Sequence, residues 1–309
     1  MIILSILILI LIIIIIISWV LSNLILKPKV ISYDKLFDRE TQNGRLIKDL
    51  YDEWDKEEFD ITSQFGYLIS CMLINNDISK KQFEDPKGKK KIAILVHGYT
   101  CGKYSSMIYA KYFLNRGITV LAYDHRNHGL SGKAHTSMGY YEKFDLQSVI
   151  DWCYIQYDGN VSIITHGESM GAATVLSHLA IDGRTHLVIA DCGYSDLKEL
   201  INYQIKKFYH LPRFPFIPLA SLIIRLRAGF RLEDVSPKDS MPISDKPILF
   251  IHGLEDDFVP YAMSQKMYDL KEGRKEIYLV PGARHGESAL VNPDGYGEKL
   301  NEFLDLYYF

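Results

Sequence analysis

From Ile92 onward, short uninterrupted apolar runs alternate with segments of helical periodicity. Ile92–Val96, Ile118–Tyr123, Val161–Thr165, Leu187–Ala190, Ile248–Ile251 and Glu276–Val280 read as strands. Ser106–Arg116, Phe144–Tyr157, Ala172–Ile181, Tyr261–Leu270 and Gly297–Tyr307 read as the helices between them. A half-exposed strand would alternate polar and apolar side chains. These runs do not, so both of their faces must be covered, which points to an α/β fold with a parallel sheet between layers of helices. Ile61–Asn75 adds a strand pair turning near Gly66, giving a mostly parallel, eight-stranded sheet. The segment Leu197–Lys246 breaks the rhythm with five prolines, at 212, 215, 218, 237 and 242, and is read as a small helical cap inserted at about 197–246.

One strand-to-helix junction carries chemistry. Gly167-Glu168-Ser169-Met170-Gly171 follows an apolar strand and opens a helix, the context in which a G-x-S-x-G pattern forms a nucleophile elbow. Glycines lack a Cβ and so permit the sharp turn. The serine hydroxyl is then presented at the carboxyl end of the strand, beside the free N–H groups of a helix N-terminus. Without the flanking strand and helix, the same five residues would read as an ordinary loop.

Ligands of such sheets gather beyond the carboxyl ends of the strands, and three more loops lie there. His97-Gly98-Tyr99-Thr100 brings a glycine to a point where the Tyr99 N–H joins that of Met170 as an oxyanion donor pair, while His97 reads as structural. His252 to Pro260 holds the acids Glu255, Asp256 and Asp257. Gly282 to Glu287 holds His285. A serine hydroxyl barely ionises at neutral pH, so it needs a base, and an acid fixes that base's tautomer. The chain order serine, acid, histidine fits this arrangement on a parallel sheet.

The N-terminus adds a different constraint. Ile2 to Leu26 is apolar except for Ser5, Ser18, Ser22 and Asn23. As a helix it would be about 37 Å long, more than the roughly 30 Å hydrocarbon core of a bilayer. No basic residue precedes the run and no A-x-A-like site follows it, so residues 1–26 are read as a retained single-pass membrane anchor and not a cleaved leader. Lys27 and Lys29 favour a cytoplasmic catalytic domain under the positive-inside rule. Residues 27–60 read as a linker and a packing helix bearing Leu46, Leu50 and Trp54, and residues 61–309 as the catalytic domain. The run Lys87-Gly88-Lys89-Lys90-Lys91 reads as a solvated loop before a strand.

A net charge of −3, with 24% charged residues, gives no reason to expect a nucleic-acid partner. Cys71, Cys101, Cys153 and Cys192 have no C-x-x-C spacing and read as small buried hydrophobes. The apolar residues between Phe214 and Leu226 read as packing the cap onto the domain, with an acyl pocket as the competing reading.

His97-Gly98-Tyr99, Asp124 through Ser131, Gly167 through Gly171, and His252-Gly253 through Val259-Pro260 together resemble the motifs of α/β-hydrolases, from about Ile61 to the C-terminus. The similarity is to the serine-esterase, monoglyceride-lipase-like and serine-aminopeptidase-like branch. It implies Ser169 as nucleophile, His285 as base and Asp256 rather than Glu255 or Asp257 as the acid. It gives Asp124, Arg126 and Ser131 a structural role. Glu168 departs from the histidine that many lipases carry there. The expected function is hydrolysis of a carboxylic ester or thioester, on a small-molecule or lipid-like substrate, with no metal or organic cofactor. Peptide or amide cleavage, and a non-catalytic binding module on the same fold, are the alternatives.

Overall fold

The computed structural model describes residues 1–75 and 88–308. In chain order its elements begin with α1 (Ile2–Leu26), α2 (Tyr33–Gln42), α3 (Lys48–Glu53), β1 (Asp55–Thr62), β2 (Leu68–Asn75), β3 (Lys90–Val96), α4 (Met107–Leu114) and β4 (Thr119–Tyr123). They continue with α5 (Glu142–Gln156), β5 (Val161–Glu168), α6 (Met170–His178), β6 (Thr185–Asp191), α7 (Leu197–Tyr209) and α8 (Phe216–Ala228). The last are β7 (Ile248–Gly253), α9 (Ala262–Leu270), β8 (Lys275–Val280), α10 (Ser288–Val291) and α11 (Pro293–Tyr307).

The sheet has eight strands in the order β1-β2-β4-β3-β5-β6-β7-β8. β1 and β2 pair antiparallel, as do β2 and β4, and every later pairing is parallel. The predicted sheet is thus the one observed. β3, β4 and β5 are buried along almost their whole length because helices cover both faces. One face packs Ala93, Leu95, Ile164 and Ile189 against α4 and α11, and the other packs Ile94, Ile163 and Val188 against α5 and α6. Each large aliphatic side chain so buried contributes roughly 1.5–3 kcal/mol relative to exposure.

Three local expectations differ. β1 begins at Asp55, inside the stretch read as linker and helix, because a strand at the sheet's edge tolerates the charged run Asp55-Lys56-Glu57-Glu58 that a central strand would not. The same stretch holds two helices rather than one, since α2 precedes α3. Lys90 and Lys91 belong to β3 and not to the loop before it. Lys87 lies outside the described residues.

α7 and α8 form a cap above the carboxyl ends of the central strands. Asp196 starts α7 by accepting the Glu199 N–H at 2.9 Å. Gly229 ends α8 with φ of +79°, a conformation that suits glycine. α1 is the one helix among the described residues long and apolar enough to cross a membrane. Its last turns are not free: Ser18, Leu21, Ser22, Ile25 and Leu26 are buried, and Leu21, Ile25 and Leu26 join a third apolar cluster shared with α6, α7 and α8.

Candidate active site

Ser169 sits between β5 and α6 with φ of 56° and ψ of −114°, a backbone conformation that a non-glycine residue adopts only when its surroundings impose it. Those surroundings are backbone. A Cβ on Gly171 would lie 2.0 Å from the Val96 carbonyl oxygen, and one on Gly167 would lie 2.3 Å from that of Gly171. Both glycines are therefore required by close approach, and the turn they permit points the serine out of the sheet.

The side chains predicted to meet Ser169 do so. His285 Nε2 lies 2.9 Å from the Ser169 Oγ, and His285 Nδ1 lies 2.7 Å from Asp256 Oδ2. Because Nδ1 faces a carboxylate it carries the ring proton, which leaves Nε2 to accept from the serine hydroxyl. Asp256 Oδ1 accepts the N–H groups of Phe258 at 2.9 Å and Val259 at 2.8 Å. His252 Nε2 faces Oδ2 of Asp256 at 3.1 Å and the Val259 carbonyl at 2.8 Å, while its Nδ1 meets Ser264 Oγ at 2.7 Å. Burial alone would raise the Asp256 pKa. The hydrogen bonds from His252 and His285 outweigh it and hold the carboxyl well below the usual carboxylate range. The neighbouring acids do other things: Glu255 accepts the Gly282 N–H at 2.7 Å, and Asp257 is an exposed partner of Lys207 at 3.2 Å.

Gly98 places its loop against the elbow, since a Cβ there would be 3.5 Å from the Ser169 Cβ. Among the described residues, neither the Tyr99 N–H nor the Met170 N–H has a hydrogen-bond acceptor. His97 is structural, as its sequence context suggested. Its Nε2 accepts the His125 N–H at 2.9 Å and its Nδ1 lies 2.7 Å from the Gly98 carbonyl. Asp124, Arg126 and Ser131 also shape backbone: Asp124 accepts the Lys103 N–H at 2.7 Å, Arg126 pairs with Asp145 at 2.6 Å, and Ser131 donates to the Asp124 carbonyl at 2.6 Å.

Glu168 points away from the serine into a buried cluster. Arg45 pairs with it and Tyr109 donates its hydroxyl to it. Arg45 also donates to the Gly286 carbonyl at 2.7 Å, so one guanidinium ties the elbow to the loop carrying His285. Asp191 lies beside them, pushed up to about 7 by burial and by the charge of Glu168. Sequence reasoning missed Arg45, because nothing in its local pattern marks a partner in the elbow.

All four cysteines are free thiols, three of them buried. Cys192 Sγ lies within 4.8 Å of ligand atoms of Asp256 and His285. The set suits a metal poorly, because Asp256 and His285 are already hydrogen-bonded to each other and burial raises the Cys192 thiol well above its usual pKa.

Ser169 opens into a cavity of about 340 Å³ between the sheet and the cap. Its walls are mainly apolar, including Met138, Ile201, Ile205 and Phe208. Of the cap residues between Phe214 and Leu226, Ala220 reaches this surface, and the large apolar side chains there are not among those lining it. Phe216, Ile217 and Ile224 are buried in the apolar cluster that the cap shares with α1 and α6, and Phe214 and Leu226 are exposed. The buried members pack as their sequence suggested, the exposed Phe214, Leu222 and Leu226 do not, and α7 supplies most of the cap's share of the cavity lining.

A family model described as "Serine aminopeptidase, S33" matches residues 87–190. Bacillus subtilis (strain 168) protein YqkD is 35% identical over 93% of this chain and 91% of its own length. The Saccharomyces cerevisiae membrane protein YNL320W is 24% identical over 75% of this chain and 78% of its own. Among solved structures, Pyrococcus furiosus esterase Pf2001 superposes with a TM-score of 0.67 at 24% identity, covering 85% of this chain and 94% of that one. Est1E of Butyrivibrio proteoclasticus, solved with ferulic acid, gives 0.61 at 20% identity, covering 80% and 99%.

Proposed function

This chain belongs to the α/β-hydrolase superfamily, in its serine-aminopeptidase-like branch, and on that footing we propose that it is a serine hydrolase that cleaves a carboxylic ester or thioester through Ser169, His285 and Asp256. The observation that carries this reading is the continuous hydrogen-bonded line from Ser169 Oγ through His285 to Asp256, at 2.9 and 2.7 Å.

The chemistry follows from that line. Ser169 Oγ bonds to the substrate carbonyl carbon while its proton passes to His285 Nε2. The carbonyl π pair moves onto oxygen, where the N–H groups of Tyr99 and Met170 receive it. Collapse of the adduct breaks the bond to the leaving alcohol or thiol, which takes the proton from His285. Water then attacks the acyl-enzyme, gives a proton to His285, and the acid departs as that proton returns to Ser169. Asp256 stays ionised throughout, holds the imidazole in the right tautomer and stabilises its charged form.

The cavity favours an ester over an aminopeptidase substrate. An aminopeptidase must hold the ammonium group of its substrate, and among the described residues lining this cavity there is no Asp or Glu. Apolar walls suit an acyl chain. α1 serves as a membrane anchor in this reading, with Lys27 and Lys29 on the cytoplasmic side.

The test is paired. Ser169→Ala should abolish both p-nitrophenyl ester turnover and labelling by a fluorophosphonate. Undiminished labelling of the variant removes Ser169 from the role, and faster turnover of aminoacyl amides than of esters by the wild type defeats the ester assignment.

A further inference from the structure

The apolar N-terminal helix does more than stand apart as an anchor. Leu21, Leu24 and Ile25 line the same cavity as Ser169. We infer that the last two turns of α1 form a wall of the acyl-binding cavity and set which acyl chains it accepts, so that the substrate is an ester of a long acyl chain taken from the lipid around that helix. The inference rests on the hydrolase reading above and deepens it.

Three contacts fix the helix where it can do this. Tyr99 donates its hydroxyl to the Leu24 carbonyl. The Thr136 N–H donates to the Leu26 carbonyl at 3.2 Å. On the cap side, Arg227 Nη1 donates to Ser22 Oγ at 2.7 Å and its guanidinium stands 4.2 Å from the centre of the Trp19 ring. The carbonyls of Leu24 and Leu26 are helix-end acceptors without intrahelical donors, so these bonds also satisfy groups that would otherwise need water. Leu21 and Ile25 are buried by the contact, at 8% and 6% exposure.

The wall has two sides. Leu21 and Ile25 turn toward the cavity, whereas Trp19 and Val20 stay about half exposed on a helix without a single charged residue. An apolar surface of that kind is at ease in lipid, and a tryptophan near its end suits the interfacial zone. Lipid that covers the outer side of α1 lies one helix away from the cavity. The acyl tail therefore needs no aqueous transit. Tyr99 links the two functions, since its hydroxyl holds α1 while its backbone N–H faces the reacting carbonyl in the mechanism proposed above.

The experiment uses the full chain reconstituted in phosphatidylcholine vesicles. It reads kcat/KM for p-nitrophenyl butyrate, octanoate and laurate, together with fluorophosphonate labelling. Leu24→Trp narrows the wall and should lower the laurate-to-butyrate ratio about tenfold or more, on the scale by which hydrophobic pockets discriminate methylenes. Leu21→Ala with Ile25→Ala widens it and should raise the same ratio. If the larger changes disrupt folding, Ile25→Val tests the same wall with a shift of a few-fold. A ratio equal to that of the wild type in every folded variant overturns the inference, as does a proportional loss on all three esters. Wild type that turns over butyrate faster than laurate when both are offered in vesicles overturns the long-chain assignment. Failure of the wild type to label would sink the hydrolase reading instead, so the two outcomes are separable.

Discussion

Arg45 and Glu168 stand 123 positions apart and form a mostly buried ion pair directly beneath the serine elbow. Removing one partner of such a pair leaves an uncompensated charge, which costs about 3–5 kcal/mol. Arg45→Met should therefore lower the denaturation midpoint markedly. Because Arg45 also holds the Gly286 carbonyl, the variant should lose ester turnover even at temperatures where it is folded. Arg45→Met combined with Glu168→Gln should recover most of the stability and less of the activity, as read by chemical denaturation and by kcat/KM on the same samples.

Asp256→Asn keeps the shape of the acid loop but presents an amide to His285. The imidazole then settles in a tautomer that cannot accept from Ser169. We expect kcat/KM for p-nitrophenyl esters to fall by about 10⁴-fold, with a circular dichroism spectrum like that of the wild type. A fall of less than tenfold would show that another acid orients the ring.

The Asp191 carboxyl, buried beside Glu168, is pushed up to about 7. An acid whose folded pKa is raised binds its proton more tightly in the folded state. Its unfavourable contribution is absent below the ordinary carboxylate range, grows as pH rises through the interval up to about 7, and is complete above it. Asp191→Asn removes that penalty. The variant should gain stability relative to wild type between pH 5 and pH 8, by on the order of 1–4 kcal/mol. Parallel melting curves with a pH-independent offset would refute this.

Gly171→Ala places a methyl group against the Val96 carbonyl, where a Cβ would lie 2.0 Å away. Both atoms are tied to backbone, so relief requires the elbow and β3 to move apart. The loss should match or exceed the roughly 1–3 kcal/mol of an overpacked site, and soluble yield should fall. Gly159→Ala, with nothing within 4 Å but a positive φ, should cost less and leave turnover intact.

Much of this arrangement was readable in the sequence because its signals are local. β5 and the elbow announce themselves through a continuous apolar run and two glycines spaced around Ser169. Asp256 and His285 lie in the loops beyond β7 and β8, at the same edge of the sheet as the elbow, and the choice of Asp256 over Glu255 and Asp257 rests on the resemblance to the α/β-hydrolase pattern. The role of Arg45 was not legible, since an arginine in a polar stretch looks like any surface charge until the fold shows what faces it. The contribution of α1 to the cavity was hidden for the opposite reason. A helix apolar all round carries no stripe to tell the wall-forming side from the exposed one. The buried acid Asp191 ends a strand whose apolar run Leu187–Ala190 reads as core, and its full burial beside Glu168, which makes it unusual, shows only in the fold.

β1 and β8 terminate the sheet on its two sides. Each leaves a row of backbone groups that a passing extended segment could join. β1 meets that hazard with Asp55, Lys56, Glu57, Glu58 and Asp60, and β8 with Lys275 and Glu276. A strand arriving from another molecule would have to strip water from these charges to dock. These charges thereby guard the two margins of the sheet against pairing with an extended segment of another molecule.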